Sequence, residues 1–107
     1  MTPDELKGLI RTVPDFPHEG IMFRDITTLI SHSLGLAATV RHLAERANDC
    51  GAEAIAGMEA RGFIFGAAVA VELGVGFVPV RKPGKLPVEV LGIDYALEYG
   101  TDRLEID

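Results

Sequence analysis

Glu59-Ala60-Arg61-Gly62, inside the run from Gly57 to Gly66, is the segment of this chain best equipped for chemistry. Arg61 brings a permanent positive charge and a planar fork of donors that matches phosphate oxygens. Gly62 permits close backbone approach or a strained turn. The segment joins an apolar strand candidate, Ala54 to Met58, to an Ala/Val-rich helix candidate running from about Gly62 to Leu73. In an open α/β sheet such a strand-to-helix turn falls at the carboxyl edge, where ligands bind. The first turn of the helix presents N–H groups with no partner inside the helix, which favours an anion. These residues read as a phosphate or pyrophosphate site.

A second cationic group lies close by in sequence. Arg81, Lys82 and Lys85 stand in a chain whose formal net charge is −6. That overall charge argues against nucleic acid or an anionic membrane as the main partner. A local cationic cluster in an acidic chain points to a small anionic ligand; the competing reading is a solvated charged loop. Cys50 is the only cysteine, which excludes a disulfide framework and leaves a structural thiol. His18, His32 and His42 are read as surface residues, and no metal ligands are assigned. The amino terminus has no basic stretch followed by an apolar one, and no run approaches a membrane span, so a cytoplasmic, reducing setting is expected.

The elements that must position these residues follow from patterning. With 107 residues the chain has room for one domain and a workable core. Thr2, Pro3 and Glu5 form a helix start with a capping box, and Leu6, Leu9, Ile10 and Val13 continue at helical spacing. Pro14 and Pro17 end that helix and force an irregular segment through Gly20. A short segment, Ile21 to Ile26, carries the neighbouring Arg24 and Asp25. Ser33 is the expected cap of a second helix, with Leu36, Ala37, Val40, Leu43, Ala44 and Ala47 as its apolar stripe and Gly51 as its stop. Ala54 to Met58, the helix stopped by Gly74, and the apolar run Val75 to Val80 make a strand, helix, strand unit. Such units are parallel crossovers, and so continuous an apolar run suits a strand covered on both faces. Residues 81–87, with two prolines and a glycine, read as a mobile loop that orders over a ligand. Val88 to Ile93, Asp94 to Tyr99 and Arg103 to Ile106 read as short strands, with a turn at Gly100 to Asp102.

With these pieces in place, the chain resembles the amino-terminal part of the adenine phosphoribosyltransferases, within the type I phosphoribosyltransferase family. Three segments carry the resemblance: Pro14 to Pro17 with Gly20 to Ile26; Gly57 to Gly66; and Arg81 to Pro87 with Tyr95 to Gly100. It implies an α/β fold of phosphoribosyltransferase (Rossmann-like) type, a parallel sheet with crossover helices. Residues 1–32 would then form a base-binding hood and opening helix, 33–80 the helix and βαβ core, and 81–107 the flexible loop and short strands. The implied reaction joins adenine to 5-phosphoribosyl-1-pyrophosphate, giving AMP and pyrophosphate with Mg²⁺ required.

The resemblance also implies site roles. Phe23 would stack on the purine while the backbone around Met22 and Arg24 reads its edge; the competing readings are core packing for Phe23 and a structural ion pair for Arg24 and Asp25. Glu59, Ala60, Arg61 and Gly62 would form the pyrophosphate loop, with a non-proline cis peptide at Glu59-Ala60. Many relatives carry Asp-Ser there, so a hydroxyl donor is missing in this chain. Arg81 and Lys85 would meet pyrophosphate, with Lys82 as helper. Glu98 would act as the acid or base toward the adenine nitrogen, alongside Arg61 as a catalytic group, and Tyr99 would position it. A homodimer is implied as well.

Two alternatives stay open: a non-catalytic purine- or nucleotide-sensing module of the same fold, and a transferase for another purine. The acidic pair and Thr-Gly-Gly-Thr-type loop that hold the ribose and 5-phosphate in the family do not occur before Asp107. Strands 54–58 and 75–80 would then lack a central parallel neighbour. The expectation is that these 107 residues alone form little or no AMP; steady-state formation at rates typical of the family would overturn it.

Overall fold

The computed structural model describes residues 1–97 and 100–107, and they form two compact units, Met1–His42 and Leu43–Asp107. Among the described residues no helix is long and apolar enough to cross a membrane.

The first unit opens with helix α1, Pro3–Lys7. Its capping box is present: the Thr2 hydroxyl accepts from the Glu5 N–H at 3.2 Å, and the Glu5 carboxylate accepts from the Thr2 N–H at 3.1 Å. The helix is shorter than its apolar spacing predicts. It stops at Gly8, and Arg11–Pro14 is instead strand β1, antiparallel to β2, Met22–Asp25. Leu9, Ile10 and Val13 therefore do not continue a helical face. The β-branched Thr12 and Val13 sit in a ladder against Arg24 and Phe23, and this pairing overrides the local helical pattern.

The hairpin is tied by charge. Asp25 pairs with Arg11 across the strands, not with its sequence neighbour Arg24, whose guanidinium reaches the Thr12 hydroxyl. Asp25 also accepts from the Thr27 N–H at 2.9 Å, at the start of a one-turn helix, α2, Thr27–Ile30. The sequence pattern had not indicated α2. Helix α3 runs Ser33–Asp49. Its cap is His32 and not Ser33: the Nδ1 of His32 accepts from the Gly35 N–H at 2.9 Å. Its buried positions are Gly35, Ala38, Val40 and Ala44; Leu36 and Ala47 of the predicted stripe are half-buried, while Ala37 and Leu43 are exposed.

The second unit holds a four-stranded sheet in the order β3-β4-β6-β5. Strand β3, Ala54–Met58, lies parallel to β4, Gly76–Arg81, and helix α4, Arg61–Leu73, connects them, as the strand, helix, strand pattern predicts. Gly74 ends α4 at φ 74°, a left-handed conformation that glycine takes at little cost. The rest of the sheet departs from expectation. Where three short strands and a turn at Gly100 to Asp102 are predicted, two seven-residue strands, β5 Leu91–Leu97 and β6 Gly100–Ile106, pair antiparallel. Tyr95 stands opposite Asp102, and β6 joins β4 through Val80 and Arg81. The α/β class holds, with parallel pairing confined to β3 and β4 among the described strands. β4 is half-buried, not covered on both faces: one face takes Phe77 against α4, and on the other Met58, Leu91 and Ile93 stay 59%, 78% and 68% exposed.

Packing of α4 on the sheet is closest at two glycines. A Cβ at Gly57 would collide with the Gly62 carbonyl, 2.9 Å from its carbon, and one at Gly66 would lie 2.5 Å from the Phe77 ring. Phe77 meets Phe63 edge-on at 5.8 Å between centroids. Gly57→Ala is expected to destabilise by about 1–3 kcal/mol, because rigid backbone must move. Gly76→Ala, with nothing within 4 Å of its added methyl, should be neutral or slightly stabilising by urea unfolding. A G57A midpoint equal to wild type would contradict this packing.

Acid unfolding tests the hairpin. The Thr27 amide, then Arg11, lower the Asp25 carboxyl from its ordinary 3.8 to about 2. A depressed folded value means the stabilisation is full above about 4 and is lost as pH falls toward 2. Asp25→Asn should therefore flatten the fall of the urea midpoint between these limits. Parallel curves for the two proteins would remove Asp25 from the account.

Candidate functional site

In the second unit, β3 ends at Met58, the Glu59-Ala60 peptide is cis, and α4 begins at Arg61. The Glu59 N–H donates to the Val80 carbonyl at 2.9 Å, fixing the turn to the end of β4. Ala60 is the N-cap and supplies no side-chain acceptor, and the first turn of α4 has no acidic residue. The helix therefore starts with amides that no neighbouring side chain caps, the arrangement that suits an anion. An open groove of about 610 Å³ is lined by Glu59, Ala60, Arg61 and Gly62, with Ile55 and Phe65 as apolar wall. Arg61 is exposed. Gly62 is used for close approach, 3.2 Å from its virtual Cβ to the Gly57 carbonyl carbon, and not for a left-handed turn.

Arg81 and Lys82 are organised by carboxylates. Glu59 accepts from Arg81 Nε at 3.2 Å and from the Lys82 backbone N–H at 2.9 Å. Arg81 also lies over the Phe63 ring, 5.7 Å from its centroid. Lys82 forms an ion pair with Asp102 and donates to the Tyr95 hydroxyl at 2.9 Å. The Gly84 N–H donates to Glu105 at 3.0 Å, and Glu105 pairs with Arg103 at 3.1 Å. These contacts move protonation equilibria. The Lys82 amide, then Arg81, hold the Glu59 carboxyl below its usual range, with Lys85 adding to the effect. The Lys82 ammonium lowers Asp102, which in turn raises Lys82 together with Tyr95, and the Gly84 amide lowers Glu105.

The structure thus gathers Glu59, Ala60, Arg61 and Gly62 on one groove, and ties Arg81 and Lys82 to Glu59. Lys85 is exposed. Met22, Phe23 and Arg24 lie on β2 of the first unit, where Phe23 is half-buried and meets Phe16 edge-on at 5.1 Å between centroids. Glu98 and Tyr99 lie outside the described residues. Sequence reading missed Tyr95, Asp102 and Glu105. The β5-β6 register would have found the first two, since it sets Tyr95 directly opposite Asp102. Among the described residues no group of three His, Cys, Asp or Glu side chains is placed to hold a metal ion.

No family model matches the chain. It is 76% identical over 107 residues to the adenine phosphoribosyltransferase of Erythrobacter litoralis, covering all of this chain and 60% of that protein. Among solved structures, adenine phosphoribosyltransferase from Thermoanaerobacter pseudethanolicus superposes with a TM-score of 0.89 at 52% identity, over 98% of this chain and 61% of that one. The APRTase of Giardia lamblia, complexed with 9-deazaadenine, gives 0.91 at 38% identity, over 99% and 59%. The chain spans about 60% of the length of the curated relative. In sequence and in fold, it matches the amino-terminal part of the adenine phosphoribosyltransferases.

Proposed function

We propose that this chain carries the base and pyrophosphate recognition of an enzyme that converts adenine and 5-phosphoribosyl-1-pyrophosphate to AMP and pyrophosphate. The observation that supports it most is the Glu59–Gly62 turn: a guanidinium and uncapped helix amides share one open groove beside a segment carrying three more cations. A departing diphosphate gathers negative charge as the ribosyl carbon becomes cation-like. Donors already aimed at that charge lower the barrier without reorganising.

Each residue then has a role. The backbone of Glu59 and Ala60, with Gly62 allowing approach and Arg61 supplying charge, binds the pyrophosphate. Arg81, at the end of β4, and Lys82 and Lys85 beyond it meet the diphosphate as well. Phe23 offers an aromatic face to adenine, and the backbone at Met22 and Arg24 reads the purine edge. Glu98 accepts the proton that adenine loses when its nitrogen attacks, and Tyr99 orients Glu98. Bound with phosphoribosyl pyrophosphate, magnesium would supply partial neutralisation of its charge; no residue of this chain is assigned to hold it. Similarity to the family supports a homodimeric protein working in the cytoplasm, built from hood (1–32), core (33–80) and loop (81–107) segments.

Calorimetric titration with magnesium pyrophosphate tests the central assignment. Arg61→Ala should weaken binding by about tenfold or more, as expected for loss of a charge-assisted hydrogen bond. Arg61→Lys should recover only part, because an ammonium lacks the planar fork. Equal affinities for wild type and R61A would sink the reading. A second test concerns the base: in an enzyme of the relatives' full length carrying this sequence, Glu98→Gln should lower the rate of AMP formation more than adenine affinity. Equal loss of both would make Glu98 a binding group only.

A further inference from the structure

β6 grips the start of the loop from both faces of the sheet. Asp102 and Tyr95 stand opposite each other in the β5-β6 ladder and hold the Lys82 ammonium on one face. Glu105, three residues on, points to the other face, which it shares with its cross-strand partner Arg81 and with Phe63 of α4. There one Glu105 oxygen accepts from the Gly84 N–H at 3.0 Å and the other from Arg103 Nε at 3.1 Å. The Glu105 side chain is 13% exposed, less than Glu59 or Asp102, so its bond to the loop is the better shielded from water. Room for Arg103 comes from Gly92, where an added Cβ would collide with the guanidinium. Between the two grips lie Pro83, with its fixed φ, and Gly84 at φ 77°, the order of a type II turn. Lys85 comes next. After the Lys82 amide and Arg81, its charge helps to hold the Glu59 carboxyl low, and Glu59 lines the groove.

We propose that Glu105 is a positioning residue for Lys85: by holding the Gly84 amide, it fixes the turn so that this cation is in place near Glu59 before a diphosphate arrives. This rests on the reading of Lys85 as a diphosphate contact and assigns that contact its support. Arg103, seated over Gly92, occupies the second Glu105 oxygen and so aims the first at the loop. Placing a cation in advance removes the cost of ordering it at the moment of binding.

Titration of Glu105→Ala and Glu105→Gln with magnesium pyrophosphate separates position from charge. Both variants remove a negative charge near an anion site, which by itself favours binding. Only E105A removes the acceptor for the Gly84 N–H. E105A should therefore bind about two- to tenfold more weakly than wild type, and E105Q within about twofold of it. In a Lys85→Ala background, E105A should cause no further loss. Gly92→Ala, which displaces Arg103 and alters no loop residue, should show a smaller loss that also vanishes with Lys85. Without ligand, hydrogen exchange at the Gly84 amide should be faster in E105A than in wild type or E105Q. Binding by E105A equal to or tighter than wild type, with an Arg61-dependent wild-type signal, would overturn the positioning proposal alone. An equal loss with and without Lys85 would make Glu105 a general structural group and overturn it too. Absence of Arg61-dependent binding in wild type would remove the pyrophosphate reading, and this proposal with it.

Discussion

A methyl group at position 57 would strike the Gly62 carbonyl, and one at position 66 would strike the Phe77 ring, so α4 lies on β3 and β4 at a separation that glycine alone permits. Much else depends on that separation. It brings the first turn of α4 level with the end of β3, so Arg61 and the uncapped amides open onto the same groove as Glu59 and Ala60. The pairing of β3 with β4 carries on past Met58, where the Glu59 amide meets the Val80 carbonyl and the Glu59 carboxylate meets Arg81.

Charge is arranged at two scales. Over the whole chain acidic residues dominate, with a formal net charge of −6. At the loop, cations are held in place by single carboxylates on β6 and at the end of β3. Local pairing of this kind lets a cationic segment exist in an acidic protein without becoming a general polyanion-binding surface. The same hydrogen bonds explain why Glu59, Asp102 and Glu105 are all held below their ordinary protonation range. None of these groups is deeply buried, so pairing, not desolvation, governs them.

How much of this was legible beforehand differs by element. The β3-α4-β4 unit could be read almost to the residue, because apolar runs, Gly74 and the 54–58 strand agree at every level. The same agreement exposed the Arg61 turn. The amino-terminal helix was over-extended because Leu9, Ile10 and Val13 fit a helical period, while the competing partner strand lay ten residues further on and could not be weighed locally. The β5-β6 hairpin was divided wrongly because Gly100 to Asp102 has turn-like composition, yet the cross-strand pairing from Tyr95 to Asp102 keeps it extended. The roles of Phe23, Glu98 and Tyr99 came from family resemblance; no spacing in the sequence marks them. Asp102 was missed for a physical reason: its importance lies in meeting Lys82, a contact that exists only once two strands are in register.

The sheet face bearing Met58, Leu91, Ile93 and Ile106 lines an open apolar hollow of about 400 Å³ in the second unit. For this molecule colloidal behaviour should follow ionic strength closely. In dilute buffer, repulsion between like-charged molecules keeps such faces apart. Concentrated sulfate both screens that repulsion and raises the free energy of wetted hydrocarbon, so salting-out should set in early and reverse on dilution.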